Sequence, residues 1–76
     1  MATLAAQPHL RNRLRIARAE QRLSQGDLAV LVGVTRQTIG SIENEQYVPS
    51  AYLAFILARK LGKPVDGLFY LEGDAP

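Results

Sequence analysis

The sequence predicts an all-α domain built from five short helices. Apolar residues recur at the three- and four-residue spacing of a helix rather than the two-residue spacing of a strand. Serine or threonine precedes three of these stretches, where a hydroxyl caps the first turn, and glycine follows two of them. With 76 residues, of which 47% are hydrophobic, we expect a single domain over residues 1–76. Within it we expect an N-terminal arm at 1–8 and a tail at 72–76.

The first predicted helix covers residues 10–21. Leu10, Leu14 and Ala17 follow a helical spacing and predict its buried face. An adjacent face carries four arginines at the same spacing: Arg11, Arg15, Arg18 and Arg22. Like charges at this spacing repel one another. Phosphate groups or plain water would relieve the repulsion, and the spacing alone does not choose between them.

Two further helices are predicted over residues 25–32 and 36–43. Ser24 stands before the first of them, and Asp27 follows three positions later. This is the spacing of a capping box, with aspartate in place of the usual glutamate or glutamine. Ile39 and Ile42 lie three residues apart and predict the buried edge of the second helix.

The turn between these two helices is very short. Gly33 is able to take the left-handed conformation that ends a helix, and Thr35 caps the next one. Ala29 is small enough to let two short helices cross steeply. Together these features form a helix-turn-helix pattern, in which the second helix enters the major groove of DNA.

The last two predicted helices follow a loop at 44–48. Ser50 caps the fourth helix, which carries a continuous apolar face and ends at Gly62. Pro64 starts a short fifth helix near residues 65–68, with Asp66 in its first turn.

Composition excludes several classes of protein. The chain has no cysteine and one histidine, His9, and it shows no paired-carboxylate, metal-ligand or phosphate-loop spacing. We therefore expect no catalytic residue, no metal and no cofactor. No run approaches a membrane span or a signal peptide, so we expect a cytoplasmic, nucleoid-associated protein. Residues 1–23 hold five arginines and one acid, which favours a polyanion partner or an ordinary solvated surface.

From residue 10 to about residue 70 the chain resembles the phage repressor and Cro-like helix-turn-helix group, often called Xre-like transcriptional regulators. The resemblance lies in LRIARAEQRLSQGDLA, VGVTRQTIGSIE, YVPSAYLAFILARKLG and VDGLF. It is closest to short regulators without a ligand-sensing domain, so it implies no small-molecule ligand.

The resemblance implies a role for eight residues. Those that would face base edges are Arg36, Gln37 and Ser41. Those that would contact the DNA backbone are Gln25, Thr35, Thr38, Asn44 and Tyr47. The chemistry agrees, because arginine suits the two acceptors of guanine and glutamine suits the acceptor and donor of adenine. The alternative interpretation is that these are solvated polar residues on a helix.

The resemblance also implies a partly buried salt bridge between Arg18 and Glu43, which the residues alone would place on the surface.

Five positions depart from the family pattern. Val30 and Leu31 are apolar where the family usually exposes charge, so they are either extra core or part of a contact with another chain. Gln46 stands where a basic residue is usual. Gly40 stands where a polar residue is usual, so it either removes a base contact or lets the backbone come closer to DNA. Glu45 would repel phosphate.

We expect a DNA-binding regulator, most simply a repressor, that binds a two-fold symmetric double-stranded operator as a homodimer. The expected dimer contact is Leu68, Phe69, Tyr70 and Leu71, with residues 2–6 adding a strand against 69–71. In the competing view, Leu68 and Phe69 close the core of the monomer. The alternative function is an antitoxin or accessory protein of the same fold that acts mainly through a protein partner.

Overall fold

The computed structural model describes residues 8–73 and contains five helices between two short strands. In chain order the elements are β1 (His9–Asn12), α1 (Leu14–Glu20), α2 (Gln25–Val32), α3 (Arg36–Glu43), α4 (Ala51–Leu61), α5 (Val65–Leu68) and β2 (Phe69–Glu72). The expected five-helix fold is confirmed, with a two-stranded sheet added to it.

Side-chain caps explain why α2, α3 and α4 begin where the sequence predicts. In the capping box of α2, the Ser24 hydroxyl accepts from the Asp27 amide at 2.9 Å, and the Asp27 carboxylate accepts from the Ser24 amide at 3.0 Å. Gly33 ends this helix with φ +77°, a conformation that costs a glycine little. The hydroxyls of Thr35 and Ser50 cap α3 and α4 in the same way.

The prediction for the first helix was wrong at its start. Residues 9–12 form β1, which pairs antiparallel with β2 in a register that runs from His9 opposite Glu72 to Asn12 opposite Phe69. Asn12 then ends the strand, because its side chain accepts from the Leu14 amide at 3.1 Å and donates to the Ile42 carbonyl at 2.9 Å. The helical spacing of Leu10 and Leu14 is therefore coincidental.

The expectations for the two ends of the chain need correction. Phe69–Glu72 pairs with His9–Asn12, whereas the expected strand at 2–6 lies outside the described residues. Glu72, assigned to the tail, is the last residue of β2. Residues 74–76 also lie outside the described part.

The core is formed by side chains from every helix together with the first residue of β2. Its buried members are Leu14, Ala17, Leu28, Ala29, Ile39, Ile42, Leu53, Leu57, Ala58, Leu61, Leu68 and Phe69. Leu10 and Leu23 pack against this core. Between residues 8 and 73, no helix has the length and apolar character needed to cross a membrane.

Burial also corrects the expected dimer contact. Leu68 is fully buried and Phe69 nearly so, because α5 and the start of β2 close the core of the monomer. Both side chains are therefore part of the monomer core, as the competing view holds, and a dimer contact at Tyr70 and Leu71 stays a prediction. Leu71 is 62% exposed.

Candidate nucleic-acid interface

The third helix has one buried side and one exposed side. Ile39 and Ile42 are fully buried against the core and fix how α3 lies on the domain. Arg36 and Gln37 are exposed in its first turn. Ser41 follows Gln37 by four residues and so lies on the same side of the helix. This geometry leaves the polar side of α3 free to enter a groove.

The eight residues assigned to DNA lie together on one surface. A first shallow depression is lined by Gln25, Arg36, Gln37, Gly40, Ser41, Asn44 and Gln46. A second is lined by Val34, Thr35, Gln37, Thr38, Ser41, Tyr47 and Leu53. Gln37 and Ser41 belong to both depressions, so the two are adjacent. We call this joined surface the α3 face.

A partly buried ion pair fixes the C-terminal end of α3. The Arg18 guanidinium donates to both oxygens of Glu43, with Nε at 2.7 Å and Nη2 at 3.2 Å, and also to the Leu23 carbonyl at 2.9 Å. The side chain of Arg18 is 15% exposed and that of Glu43 has no exposed area. The bridge therefore ties the end of α3 to α1 and to the turn before α2.

Glu43 remains ionised in spite of its burial. Burial raises the pKa of the Glu43 carboxylate, but hydrogen bonds from Arg18, Gln25 and Arg15, with the charge of Arg18, outweigh it. The net result is a pKa below the ordinary value for glutamate. The Gln25 amide contributes to this by donating to Glu43 at 3.0 Å.

Gly40 gives the Gln25 side chain room to lie across α3. A Cβ atom built on Gly40 would lie 3.7 Å from Gln25 Nε2 and 3.8 Å from its Oε1. An alanine would therefore fit, whereas a longer side chain would compete with Gln25 for the same space. Gln25 therefore passes over Gly40 on its way to Glu43, at ordinary contact distance from the position of a Cβ atom.

Arg15 joins this network from the exposed side of α1. Its Nε donates to Glu43 at 3.3 Å, and its Nη2 donates to the Asn44 side-chain oxygen at 3.2 Å. This bond turns the Asn44 amide nitrogen away from Arg15. The spacing of Arg15 and Arg18 on one helix was the available signal for Arg15, but it did not distinguish phosphate from water.

Glu45 and Arg11 neutralise each other beside the α3 face. Arg11 Nε donates to Glu45 at 2.7 Å, and a second nitrogen of Arg11 bonds Glu72 in β2. The hydrogen bond that Arg11 donates to Glu45 and the charges of the Glu45 and Glu72 carboxylates raise the pKa of Arg11. Arg11 lies on a strand, so the expected stripe of four arginines on one helix is corrected to Arg15 and Arg18 on α1 with Arg22 in the following turn.

Two further observations concern Tyr70, one of the expected dimer contacts, and the grouping of possible metal ligands. Arg13 lies over the ring of Tyr70 at 4.1 Å from its centroid, which stabilises the junction of α1 and β2. Within residues 8–73, no three acidic or histidine side chains are grouped as metal ligands would be.

Comparison with known proteins agrees with this geometry. A helix-turn-helix family model matches residues 14–68. An uncharacterized HTH-type transcriptional regulator of Methanocaldococcus jannaschii is 43% identical over 65 residues, which cover 86% of this chain and 98% of that protein. Another, from Methanothermobacter thermautotrophicus, is 44% identical over 66 residues, covering 86% of this chain and 96% of the relative.

A solved structure shares the fold. The restriction-modification controller protein C.AhdI from Aeromonas hydrophila is 34% identical and superimposes with a TM-score of 0.68, covering 72% of this chain and 80% of the controller. The family match spans α1 to α5 and includes every element that forms the α3 face. The chain therefore belongs to the Cro/C1-type helix-turn-helix family of DNA-binding transcriptional regulators.

Proposed function

We propose that this protein is a sequence-specific repressor that reads the major groove of double-stranded DNA with α3. The observation that carries the proposal is the convergence of all eight assigned residues on the α3 face. Family membership supplies the general activity. The side chains of this surface supply the means of reading a particular sequence.

Base reading is assigned to Arg36, Gln37 and Ser41. Gln37 lies in the first turn of an exposed helix face, where its amide is able to bond an adenine edge twice. Arg36 suits guanine, although its length also permits a phosphate contact. Ser41 accepts or donates and so tolerates several bases.

Backbone binding is assigned to Gln25, Thr35, Thr38, Asn44 and Tyr47. The amide nitrogen of Gln25 carries two hydrogens, of which Glu43 uses one, so the other is available to a phosphate. The Glu43 network thus serves as a positioning device for Gln25 on one side and for Asn44, through Arg15, on the other.

The proposal includes a homodimer on a two-fold symmetric operator. A single helix covers few base pairs, and family members of this kind place two such helices in successive major grooves about 34 Å apart. Repression is the simplest outcome, because a dimer that fills both grooves excludes other proteins from the operator. Such a protein would act in the cytoplasm, with the nucleoid.

Selection of bound sequences from random duplexes tests the proposal. We expect the protein to enrich a motif made of two inverted half-sites whose centres lie about one helical turn apart. Enrichment of a single half-site would remove the homodimer from the proposal. Failure to enrich any motif at low salt would overturn sequence-specific binding itself.

One observation favours the alternative of an antitoxin or accessory protein. Val30 and Leu31 on α2 are exposed, although the family pattern usually has charged residues there. In this alternative, the protein would lose abundance when the gene for its partner is deleted. Stable abundance together with an enriched DNA motif would argue against it.

A further inference from the structure

Glu45 carries a negative charge at the edge of the α3 face, in a place that suits a carboxylate poorly. Its backbone has φ +63°, a left-handed conformation in which glycine is the usual residue at the end of a helix. A carboxylate is also unfavourable near the C-terminal end of a helix, because the helix dipole is negative there. Asn44 and Gln46, its two neighbours in the chain, both line the α3 face. The loop thus presents a carboxylate beside a position assigned to phosphate.

Arg11 on β1 faces this carboxylate. Its Nε donates to Glu45 Oε2 at 2.7 Å, and a second nitrogen bonds Glu72 at the end of β2. The pairing of the two strands fixes the place of Arg11, since it lies opposite Tyr70 in the register. The arginine is therefore held by the sheet and not by the loop that it contacts.

We propose that Arg11 is a positioning residue for DNA binding, which holds the Glu45 carboxylate toward the sheet and cancels its charge toward phosphate. Arg11, Glu45 and Glu72 together carry one positive and two negative charges, so the cluster stays negative overall. A cluster of this sign does not attract phosphate. Arg11 therefore acts on DNA through Glu45 and is not itself a phosphate ligand. This inference rests on the backbone contacts proposed for the α3 face.

The shape of the loop depends on its backbone rather than on Arg11. The Glu45 amide donates to the Ile42 carbonyl at 2.9 Å, and the Gln46 amide donates to the Ser41 carbonyl at 2.9 Å. These two bonds form a Schellman motif, which closes the C-terminal end of α3 without any side chain. The side chains of Arg11 and Glu45 are both exposed to solvent, so their ion pair contributes little to stability. Loss of Arg11 should consequently leave the fold in place and change the charge beside the α3 face.

The experiment measures the binding of Arg11→Ala, Glu45→Gln and the double variant to a random-sequence duplex at low salt. Repulsion between a carboxylate and phosphate does not depend on base sequence, so this duplex is sufficient. We expect Arg11→Ala to weaken binding roughly two- to fivefold, because the uncancelled charge of Glu45 then repels nearby phosphates. Glu45→Gln should bind at least as tightly as the wild type. The double variant should regain wild-type affinity, because the carboxylate beside phosphate is gone.

Arg59→Ala is the matched control for the loss of one positive charge. Arg59 is exposed on α4 and lines neither depression of the α3 face, so its removal should change binding less than the removal of Arg11 does. The defect of Arg11→Ala should also fade as the salt concentration rises, because salt screens the repulsion. A distorted loop would instead lower affinity at every salt concentration. Thermal melting checks that each variant folds.

The double variant decides between the possible roles of Arg11. If it bound DNA as weakly as Arg11→Ala, Arg11 would itself contact phosphate or shape the loop, and the inference would be overturned. Unchanged binding by Arg11→Ala would overturn it as well, since the charge of Glu45 would then not reach the DNA. In both cases the wild type still binds DNA and the proposed function stands. A wild type that bound no duplex at low salt would refute the proposed function, and this inference with it.

Discussion

Gln37 is the residue on which the proposed sequence reading depends most. It is exposed in the first turn of α3 and shared by both depressions of the α3 face. We expect Gln37→Ala to cost about 1–3 kcal/mol of operator binding and to relax preference at particular base pairs. Binding to random DNA should remain nearly unchanged. Titration of operator and random duplexes measures both.

Arg36→Ala is the comparison for this experiment. If Arg36 grips a phosphate, its removal weakens binding to operator and random DNA alike. If Gln37→Ala gave that uniform loss, Gln37 would be a backbone anchor and its assigned role would be wrong.

The Arg18–Glu43 pair should contribute more to folding than a surface pair does. Removal of one partner of a buried pair costs about 3–5 kcal/mol when the other charge is left without a counter-ion, and this is an upper bound for Arg18→Ala, because Arg15 and Gln25 still bond Glu43. We expect Arg18→Ala to lower the free energy of unfolding by more than the loss of an exposed pair does, and by no more than this amount, in urea denaturation. Arg11→Ala is the matched control, since its ion pairs are exposed to solvent and should contribute little to stability. Equal small effects would show that the buried pair is not structural.

The lowered pKa of Glu43 predicts a pH dependence. A carboxylate with a lower pKa in the folded state contributes stability above its unfolded pKa of about 4.3, and that stability is lost as pH falls through the folded pKa. We expect the stability difference between wild type and Glu43→Gln to be large at pH 7 and to shrink in acid. Glu45→Gln serves as the exposed control. A difference that stayed constant with pH would contradict this.

At the residue scale, sequence reasoning predicted which side chains share a surface but not how they are held. The Arg18–Glu43 contact followed from the family resemblance. The path of Gln25 across Gly40 to Glu43 did not, because it joins the start of α2 to the far end of α3 and leaves no local spacing. Arg15 was missed as part of the network for the same reason.

At the element scale, local signals predicted α2 to α5 and failed for α1. Hydroxyl caps or the proline at 64 precede α2 to α5, and glycines end two of them, so their bounds are encoded within a few residues. The side chain of Arg13, the residue before α1, forms no capping hydrogen bond. The strand that replaces the first turn pairs with residues about 60 positions away, and that pairing is invisible to local periodicity.

Asn12 is the residue that should separate β1 from α1. Its side chain bonds the Leu14 amide and the Ile42 carbonyl, so it joins the sheet to both α1 and α3. We expect Asn12→Ala to destabilise the fold by about 1–3 kcal/mol, since it leaves partly buried polar groups unpaired. His9→Ala, at the exposed end of the same strand, is the control for chemical denaturation. Equal stability of the two variants would mean that Asn12 does not organise this junction.

At the scale of the whole molecule, the fold brings the basic and acidic ends of the sequence together. Arg11 bonds Glu72 across the sheet and Glu45 beyond α3, so part of the basic character of residues 1–23 is cancelled within the monomer. The net charge of +2 describes the whole chain and does not show where the positive charge lies. What matters for DNA is which arginines lie near the α3 face. Arg15 is exposed beside the α3 face and is the cation there best placed for phosphate, whereas Arg36 on that face is assigned to base edges.

The salt dependence of DNA binding measures how many phosphates the cations of the protein neutralise. Each phosphate that a cation neutralises changes the slope of log K against log salt by about −0.9, because counterions are released from the DNA. We expect binding to weaken steeply with salt, and Arg15→Ala to make the slope shallower by about 0.9 for each protomer bound. Asn44→Ala is the matched comparison: Asn44 bonds Arg15 and lies at the same edge, but carries no charge. It should lower affinity at every salt concentration without changing the slope. An Arg15→Ala slope equal to that of the wild type would mean that Arg15 only holds Glu43 and Asn44 in place.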